Sequence, residues 1–278
     1  MATYYKQAPL PFIGQKRKFL NHFIKVLNDN IPEEGKGWTI VDAFGGSGLL
    51  SHVAKHCKPN ARVIFNDYDG YAERLQHIDD INKLRQQLYD LLKNYSRKKT
   101  LTPDLKKQVI NIIQNFNGFK DARVISSWLL FSGKQVKDVE GLFNQSFFNR
   151  VRLTDYTNAN DYFNGFEIVR ESFHKLLPQF QDDKKTLFVL DPPYLCTAQA
   201  SYKQERYFDL IDFLRLVDLT RQPYIFFSST KSEFLRFIDW LVESKKDNWQ
   251  SFENAKRISI NAKPNHKVVY EDNLVYKF

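Results

Sequence analysis

The sequence is poor in the residues that disulfide frameworks, metal sites and membrane spans require. Its 278 residues include 2 cysteines, Cys57 and Cys196, which are too few for a disulfide framework. The 6 histidines form no HxH or HExxH pair and no CxxC occurs, so we expect no metal site. No apolar run approaches the roughly 18 residues that span a bilayer, and the first residues carry no signal-peptide pattern. These absences predict a cytoplasmic protein with no metal and no membrane partner.

What the sequence has in excess is positive charge. Lysine and arginine number 41 against 32 aspartate and glutamate residues, which gives a formal net charge of +9 at pH 7. This balance suits a polyanionic partner such as nucleic acid, although many basic proteins bind nothing anionic. Charge alone therefore leaves both interpretations open.

Short apolar segments alternate with helical patterns along the chain. This alternation predicts an α/β fold with a largely parallel sheet covered on both faces. The gap between the last two expected strands is too short for a crossover helix, so they should form an antiparallel C-terminal hairpin. The expected strands are 38–44, 62–67, 186–191, 224–229, 267–270 and 273–278, and the expected helices are 15–28, 49–57, 71–95, 103–115, 167–177, 205–219 and 231–243.

The spacing of the strands predicts an insertion. The second and third strands are separated by 119 positions, from Asp67 to Thr186, whereas a βαβ unit needs only about 30 residues. We therefore expect an inserted, mainly helical subdomain at 72–165, within a core made of 1–71 and 166–278.

The segment VDAFGGSG (41–48) leaves a strand and enters a helix through a glycine-rich turn. Such a turn lets a ligand approach the backbone and the first N–H groups of the helix. It has neither the Gly-Lys-Ser/Thr of a P-loop nor GxGxxG spacing. The next strand ends at Asp67 and Tyr68, where an acid can accept hydrogen bonds from ribose hydroxyls. Together these features support an adenosine-containing cofactor; the alternative is a helix cap at Asp67 and core packing for Tyr68.

The segment FVLDPPYLC (188–196) ends another buried strand in an unusual way. Pro192 and Pro193 lack N–H groups and fix their own φ, so they end the strand and stiffen its exit just after Asp191. Taken alone, the segment is equally consistent with a rigid turn that carries a chance acid.

Three segments, PFIGQK (11–16), DAFGGSG (42–48) and DPPY (191–194), together resemble the S-adenosylmethionine-dependent DNA adenine-N6 methyltransferases of the Dam-related group, of a phage or mobile-element type. Their order matches that group, and so does the long insertion before the third. The resemblance implies a Rossmann-like methyltransferase sheet, S-adenosylmethionine as cofactor and double-stranded DNA as partner. It implies that the insertion recognises the DNA target.

The resemblance also implies roles for individual residues. Lys16 should meet the carboxylate of the methionine end of the cofactor, and Asp42 its amino group. Asp67 should take the ribose hydroxyls while Tyr68 flanks the adenine. Ser172 stands where the family usually has an aspartate before Phe173. The full set of expected cofactor-binding residues is Phe12, Gly14, Lys16, Asp42, Phe44, Gly45, Gly46, Gly48, Asp67, Tyr68, Phe173 and Asp191.

The expected catalytic residues are Asp191, Pro192, Pro193 and Tyr194. The Asp191 carboxylate and the Pro192 carbonyl can each accept one hydrogen bond from the adenine amine, which leaves its lone pair aimed at the methyl group. Tyr194 can stack on the base, which must be extruded if the substrate is a duplex. This chemistry needs neither a metal nor a covalent enzyme intermediate.

The insertion contains a basic run at 93–107 and an aromatic, amide-rich stretch at 141–156. This mixture suits contacts with phosphates and bases, although Arg150 and Arg152 could equally face solvent on a strand. The expected DNA contacts are Lys98, Lys99, Asn149, Arg150 and Arg152.

Other acceptors stay open at this stage, namely adenine in RNA, cytosine N4 and protein glutamine. A catalytically silent nucleic-acid-binding protein of the same fold is a further alternative. A restriction endonuclease partner and the oligomeric state are also left open.

Overall fold

The computed structural model of the protein describes residues 4–131, 133–195, 208–230, 233–265 and 268–278. Its centre is a seven-stranded sheet with the order β3-β2-β1-β4-β5-β7-β6. Neighbouring strands from β3 to β5 are parallel, whereas β7 runs antiparallel to both β5 and β6. The strands are β1 Thr39–Asp42, β2 Arg62–Asn66, β3 Glu167–Val169, β4 Thr186–Leu190, β5 Tyr224–Ser229, β6 Lys256–Asn265 and β7 Val268–Lys277.

Helices cover both faces of this sheet. Because side chains alternate along a strand, successive core residues of β1 and β2 pack on opposite sides. Ile40 and Val63 pack with α1 and α2, whereas Val41 and Ile64 pack with α8 to α11. The helices are α1 Leu20–Asn30, α2 Leu49–Cys57, α3 Tyr71–Gln76, α4 Ile78–Leu92, α5 Pro103–Asn115, α6 Ala122–Leu129, α7 Val139–Phe143, α8 Phe173–Leu176, α9 Leu210–Leu219, α10 Phe234–Glu243 and α11 Trp249–Phe252. The predicted Rossmann-like α/β fold with its antiparallel C-terminal hairpin is confirmed.

The chain between β2 and β3 holds helices α3 to α7, and its division into an inserted subdomain at 72–165 and a core stays a prediction. Helices α3 to α7 share a hydrophobic cluster of their own, which includes Leu84, Val109 and Trp128. Ala8 and Leu10 from the N-terminal segment pack into the same cluster. The N-terminal segment therefore joins the insertion to the sheet.

Several predicted elements differ from the structure. The expected helix 71–95 is two helices, α3 and α4, that meet at His77, whose ring stacks on Phe119 with centroids 4.2 Å apart. The expected helix 167–177 begins with β3, a strand of three residues at the sheet edge. Such a short, mostly exposed strand leaves little apolar signal in the sequence.

The C-terminal hairpin is also built differently from the prediction. Residues 268–270 and 273–277 of the two predicted strands both lie on β7, and β6 supplies the partner. Sequence reasoning missed β6 because its only large apolar residues are Ile258 and Ile260 and because it contains Pro264, which is unusual within a strand. Cys196, the start of the expected helix 205–219 and position 267 lie outside the described residues.

Candidate active site

The carboxyl ends of β1, β2 and β4 meet at one edge of the sheet. The chain builds outward from β1 to β3 and then crosses to the other side of β1 at β4, which makes this edge the usual ligand position in open α/β sheets. A cavity of about 220 Å³ opens there. The predicted site residues in its wall are Phe12, Gly14, Lys16, Phe44, Gly45, Gly46, Tyr68, Phe173, Asp191 and Pro193.

The glycine turn is packed too closely to accept side chains. A Cβ on Gly45 would lie 2.3 Å from the ring of Phe65, and one on Gly46 would lie 2.9 Å from the ring of Phe12. Gly48 precedes α2 with a φ of 71°, a conformation that favours glycine. The backbone of this turn therefore forms part of the cavity wall, and Phe12 joins the first sequence segment to the second.

Asp42 ends β1 in a buried position. Its Oδ2 accepts a hydrogen bond of 2.7 Å from the Ser51 hydroxyl, and its Oδ1 is buried with no hydrogen-bond partner in the described part of the chain. Burial raises the pKa of Asp42 to about 7; the Ser51 hydrogen bond opposes the rise and the nearby Asp191 charge adds to it. A buried carboxylate with a spare acceptor is suited to a cationic ligand group.

Asp191 and Lys16 form an ion pair across the cavity. Lys16 Nζ lies 2.5 Å from Asp191 Oδ2 and 2.9 Å from the Gly14 carbonyl oxygen. Burial raises the pKa of Asp191 above its ordinary value, and the ammonium of Lys16 opposes that rise. The first and third sequence segments, 175 positions apart, thus meet at one charged contact.

The rest of the DPPY segment lies beside this pair. Pro192 and Pro193 are buried, and Pro193 lines the cavity. Tyr194 is half-buried, and its ring centroid lies 5.5 Å from Lys16 Nζ. The catalytic roles of these residues stay predictions, whereas their position just after the carboxyl end of β4 is observed.

Asp67 lies just behind the cavity wall. Its carboxylate accepts hydrogen bonds from the backbone N–H groups of Tyr71 at 2.6 Å and Ala72 at 2.9 Å, so it caps the start of α3. Tyr68 and Asp69 line the cavity instead. The helix cap foreseen as an alternative is therefore present, and a ribose contact by Asp67 stays a prediction. The core-packing alternative for Tyr68 is wrong, because its side chain is 39% exposed.

Sequence reasoning missed two residues of the cavity wall. His174 follows Phe173 on α8, and Asp212 lies in the first turn of α9; both line the cavity. His174 Nε2 lies 3.1 Å from Asp212 Oδ1. Nothing in the sequence pairs them, since they are 38 positions apart and belong to no motif.

The insertion brings its two predicted DNA-contacting segments together. Thr100 and Phe148 form an isolated antiparallel bridge, and Arg97 Nη1 donates to the Val151 carbonyl at 3.0 Å. This places the loop between α4 and α5 against the strand-like segment that follows α7. The predicted contacts that are exposed on these segments are Lys98, Lys99, Arg150 and Arg152.

Asn149 is a correction to the predicted DNA contacts. It is 3% exposed, and its Nδ2 donates to the carbonyl oxygens of Leu92 at 2.8 Å and Tyr95 at 3.0 Å. Its amide joins the two segments internally and is not presented to DNA. Because the whole segment 141–156 is rich in amides, its composition does not show that Asn149 is buried whereas its neighbours Arg150 and Arg152 are exposed.

Within the described ranges, no group of three or more His, Cys, Asp or Glu side chains is placed to hold a metal ion. In that same part of the chain, no helix is both long and apolar enough to cross a membrane.

Comparison with known proteins supports a single family over both the core and the insertion. A family model described as D12 class N6 adenine-specific DNA methyltransferase matches residues 12–259. A protein of Haemophilus influenzae strain Rd named "Putative methyltransferase" is 59% identical over 275 residues, which is 99% of this chain and 93% of that protein. The solved structure of precorrin-6y C5,15-methyltransferase from Geobacter metallireducens GS-15 aligns with 99% of this chain and 100% of that chain, with a TM-score of 0.38 and 9% identity. This last likeness is too weak to carry an argument.

Proposed function

The chain belongs to the D12 class N6 adenine-specific DNA methyltransferases, and from that membership we propose which residues bind the methyl donor and which hold the adenine. The family acts on the exocyclic N6 of adenine in DNA and implies S-adenosylmethionine as the donor. When bound, that cofactor supplies an activated sulfonium methyl group. The cavity at the carboxyl edge of β1 is the proposed cofactor site.

The residues present fit this cofactor. Gly45 and Gly46 line the cavity with backbone that carries no side chain, so a ligand can approach it closely. The buried Oδ1 of Asp42 lacks a partner among the described residues, and the next two residues, Ala43 and Phe44, line the cavity. An ammonium group held at this edge would offset the burial of the Asp42 carboxylate. Asp42 is therefore proposed to bind the methionine amino group.

Lys16 is proposed to serve two carboxylates. Its ammonium has three N–H donors, and two of them point to Asp191 and the Gly14 carbonyl. The remaining donor can reach the carboxylate of the methionine moiety. In this arrangement Lys16 also stabilises the ionised form of Asp191, which the target amine requires as an acceptor.

Asp191 and the Pro192 carbonyl are proposed to orient the adenine amine. The amine is a weak nucleophile because its lone pair is delocalised into the ring. Two acceptors that each hold one N–H bond out of the ring plane free that lone pair for the methyl carbon. The prolines stiffen the backbone that carries the second acceptor. Tyr194 is proposed to stack on the extruded base.

The exposed basic face of the insertion is proposed to hold the duplex and to make the enzyme site-specific. Arg150 lies over the ring of Phe131, with 5.4 Å from its guanidinium carbon to the ring centroid, and Phe131 is itself 55% exposed. Cationic groups beside an exposed aromatic ring suit phosphate and base contacts. Lys98 and Lys99 extend the same face through the bridged loop.

The observation that carries this proposal is the contact between Lys16 and Asp191, which joins the first and third sequence segments at a cavity that the second segment also lines. The test is transfer of a tritiated methyl group to mixed-sequence duplex DNA, followed by nucleoside digestion and mass spectrometry. We expect label on N6-methyldeoxyadenosine, and sequencing of marked sites would then show one target sequence. Label on N4-methylcytosine, or DNA without label despite cofactor binding, would contradict the assigned pocket.

A further inference from the structure

A histidine–aspartate pair lines the cofactor cavity away from the Lys16–Asp191 contact. We propose that His174 recognises the adenine of the cofactor by accepting a hydrogen bond from its exocyclic amine on Nδ1. This assignment rests on the proposed cofactor site. It adds a specificity-determining residue that no sequence segment identified.

The contact with Asp212 fixes the orientation of the His174 imidazole ring. Asp212 is 7% exposed in its side chain, and its carboxylate can only accept hydrogen bonds when ionised. The contact of 3.1 Å therefore requires His174 Nε2 to be the donor. When the ring is neutral, its proton is then on Nε2 and Nδ1 presents a lone pair, which the imidazolium form lacks. Within the described residues, Nδ1 of His174 has no hydrogen-bond partner.

Both members of the His174–Asp212 pair are held in place by further contacts. Asp212 belongs to a capping box at the start of α9, in which its Oδ2 accepts from the Asp209 N–H at 3.4 Å. On the other side, the His174 ring packs against Phe173 with centroids 3.8 Å apart. A fixed carboxylate and a fixed aromatic neighbour hold the imidazole in one position. An acceptor fixed in this way discriminates between ligands better than a mobile side chain.

Aromatic side chains accompany His174 in the cavity wall. The ring of Phe173 lies 5.3 Å from that of Phe44 and 6.0 Å from that of Phe208, measured between centroids. All three residues line the cavity with His174. Aromatic faces suit a planar purine, whereas the charged groups Lys16 and Asp191 suit the amino-acid end. The adenine therefore belongs at the His174 end.

An acceptor at His174 Nδ1 matches the donor amine of adenine. Adenine carries a donor amine at the position where hypoxanthine carries a carbonyl oxygen. The Nδ1 lone pair would attract the first and repel the second. A site built around a hydrogen bond rejects an analogue that cannot form it, because the buried partner is left unpaired.

The experiment is calorimetric binding of S-adenosylhomocysteine and S-inosylhomocysteine, which differ at this amine position and at the neighbouring N1, an acceptor in adenine and an N–H in hypoxanthine. We expect the wild-type protein to prefer the adenosine ligand by about 10-fold. His174→Gln can still reach Asp212 with an amide N–H but has no acceptor at the Nδ1 position, so it should lose the preference. His174→Asn places an amide oxygen near the Nδ1 position and should keep most of it. The control is His56→Gln, an exposed histidine on α2, which should behave as wild type.

The outcomes separate this inference from the proposed function. If wild-type protein binds neither ligand, the proposed cofactor site is wrong. If wild type binds both ligands equally, or if His174→Gln keeps the preference, the role of His174 is wrong. An equal loss of both ligands in folded His174→Gln and His174→Asn, checked by circular dichroism, would show that the residue only shapes the wall.

Discussion

The cavity of the core and the basic face of the insertion use polar side chains in opposite ways. In the core, Asp42 is buried with one oxygen unpartnered among the described residues, and Asp191 faces Lys16 across a cavity. In the insertion, the buried polar residues next to the basic face have their hydrogen bonds made. Asn149 donates to two carbonyl oxygens, and Arg85 contacts Asp155 and the Arg152 carbonyl.

This difference shows how a buried polar group that can bind a ligand is distinguished from one that only stabilises the fold. A buried polar group normally has its hydrogen bonds made, and those bonds stabilise the fold. A buried group that lacks one, beside a cavity, is available to a ligand. By this criterion Asp42 is available to a ligand in the core, and the same criterion selects Arg74 Nη1 and Arg123 Nη1 in the insertion, which line a second cavity.

The strongest test of the core is removal of the acceptor at the end of β4. Asp191→Ala should lower the single-turnover rate of methyl transfer by about 10²–10³-fold or more, because a preorganised acceptor at the reacting amine is lost. S-adenosylhomocysteine should still bind in calorimetry. The control Asp29→Ala removes an exposed aspartate on α1 and should leave the rate unchanged. A retained rate in Asp191→Ala would return DPPY to the status of a rigid turn.

The second test uses pH to measure the cost of burying Asp42. Its pKa is about 7 in the folded protein, against about 3.9 in an unfolded chain. Between these values the folded state binds more protons than the unfolded state, so wild-type stability falls as pH rises from about 4 to 7. Asp42→Asn removes this effect. Its unfolding free energy relative to wild type should therefore rise across that window, by an amount on the order of a few kcal/mol, and then level off.

Urea unfolding at several pH values measures this difference. A constant difference between Asp42→Asn and wild type from pH 4 to 8 would mean that the Asp42 carboxylate is not destabilised by burial. It would also remove the argument that Asp42 awaits a cationic ligand group.

The third test compares a buried residue of the insertion that stabilises the fold, Asn149, with its exposed neighbour, Arg150. Asn149→Ala leaves the carbonyls of Leu92 and Tyr95 without their side-chain donor and should cost about 1–3 kcal/mol of stability. Arg150→Ala next to it should change stability by less than about 0.5 kcal/mol. Urea midpoints of the two variants make the comparison. Equal midpoints would restore Asn149 to the set of candidate DNA contacts.

The smallest expected effect concerns the basic face itself. Arg150→Ala and Arg152→Ala should each reduce the slope of log K against log salt for DNA binding by about 1, because each loses one phosphate contact. Arg236→Ala, an exposed arginine on α10 of the core, provides the matched control. An unchanged slope in both insertion variants would mean that the duplex lies elsewhere.

Much of the core could be predicted because its signals are local. The buried strands β1, β2, β4 and β5 announce themselves as apolar runs, and their last residues must reach the same edge of a parallel sheet. The resemblance to the methyltransferase family assigned Asp42 and Asp191 to one cofactor site. Sequence reasoning missed the short edge strand β3, which is mostly exposed, and the strand β6, whose described side chains are exposed or half-buried.

The sequence by itself determined the α/β class and the three segments that surround the cavity, whereas the bounds of the insertion stay a prediction. Only the tertiary structure decided which polar side chains are engaged in the fold. It assigned Asp67 to the start of α3, Asn149 to a buried joint and His174 to Asp212. Strand periodicity is set by neighbouring residues, but a hydrogen bond from a side chain to a group 38 or 57 positions away depends on how whole elements pack.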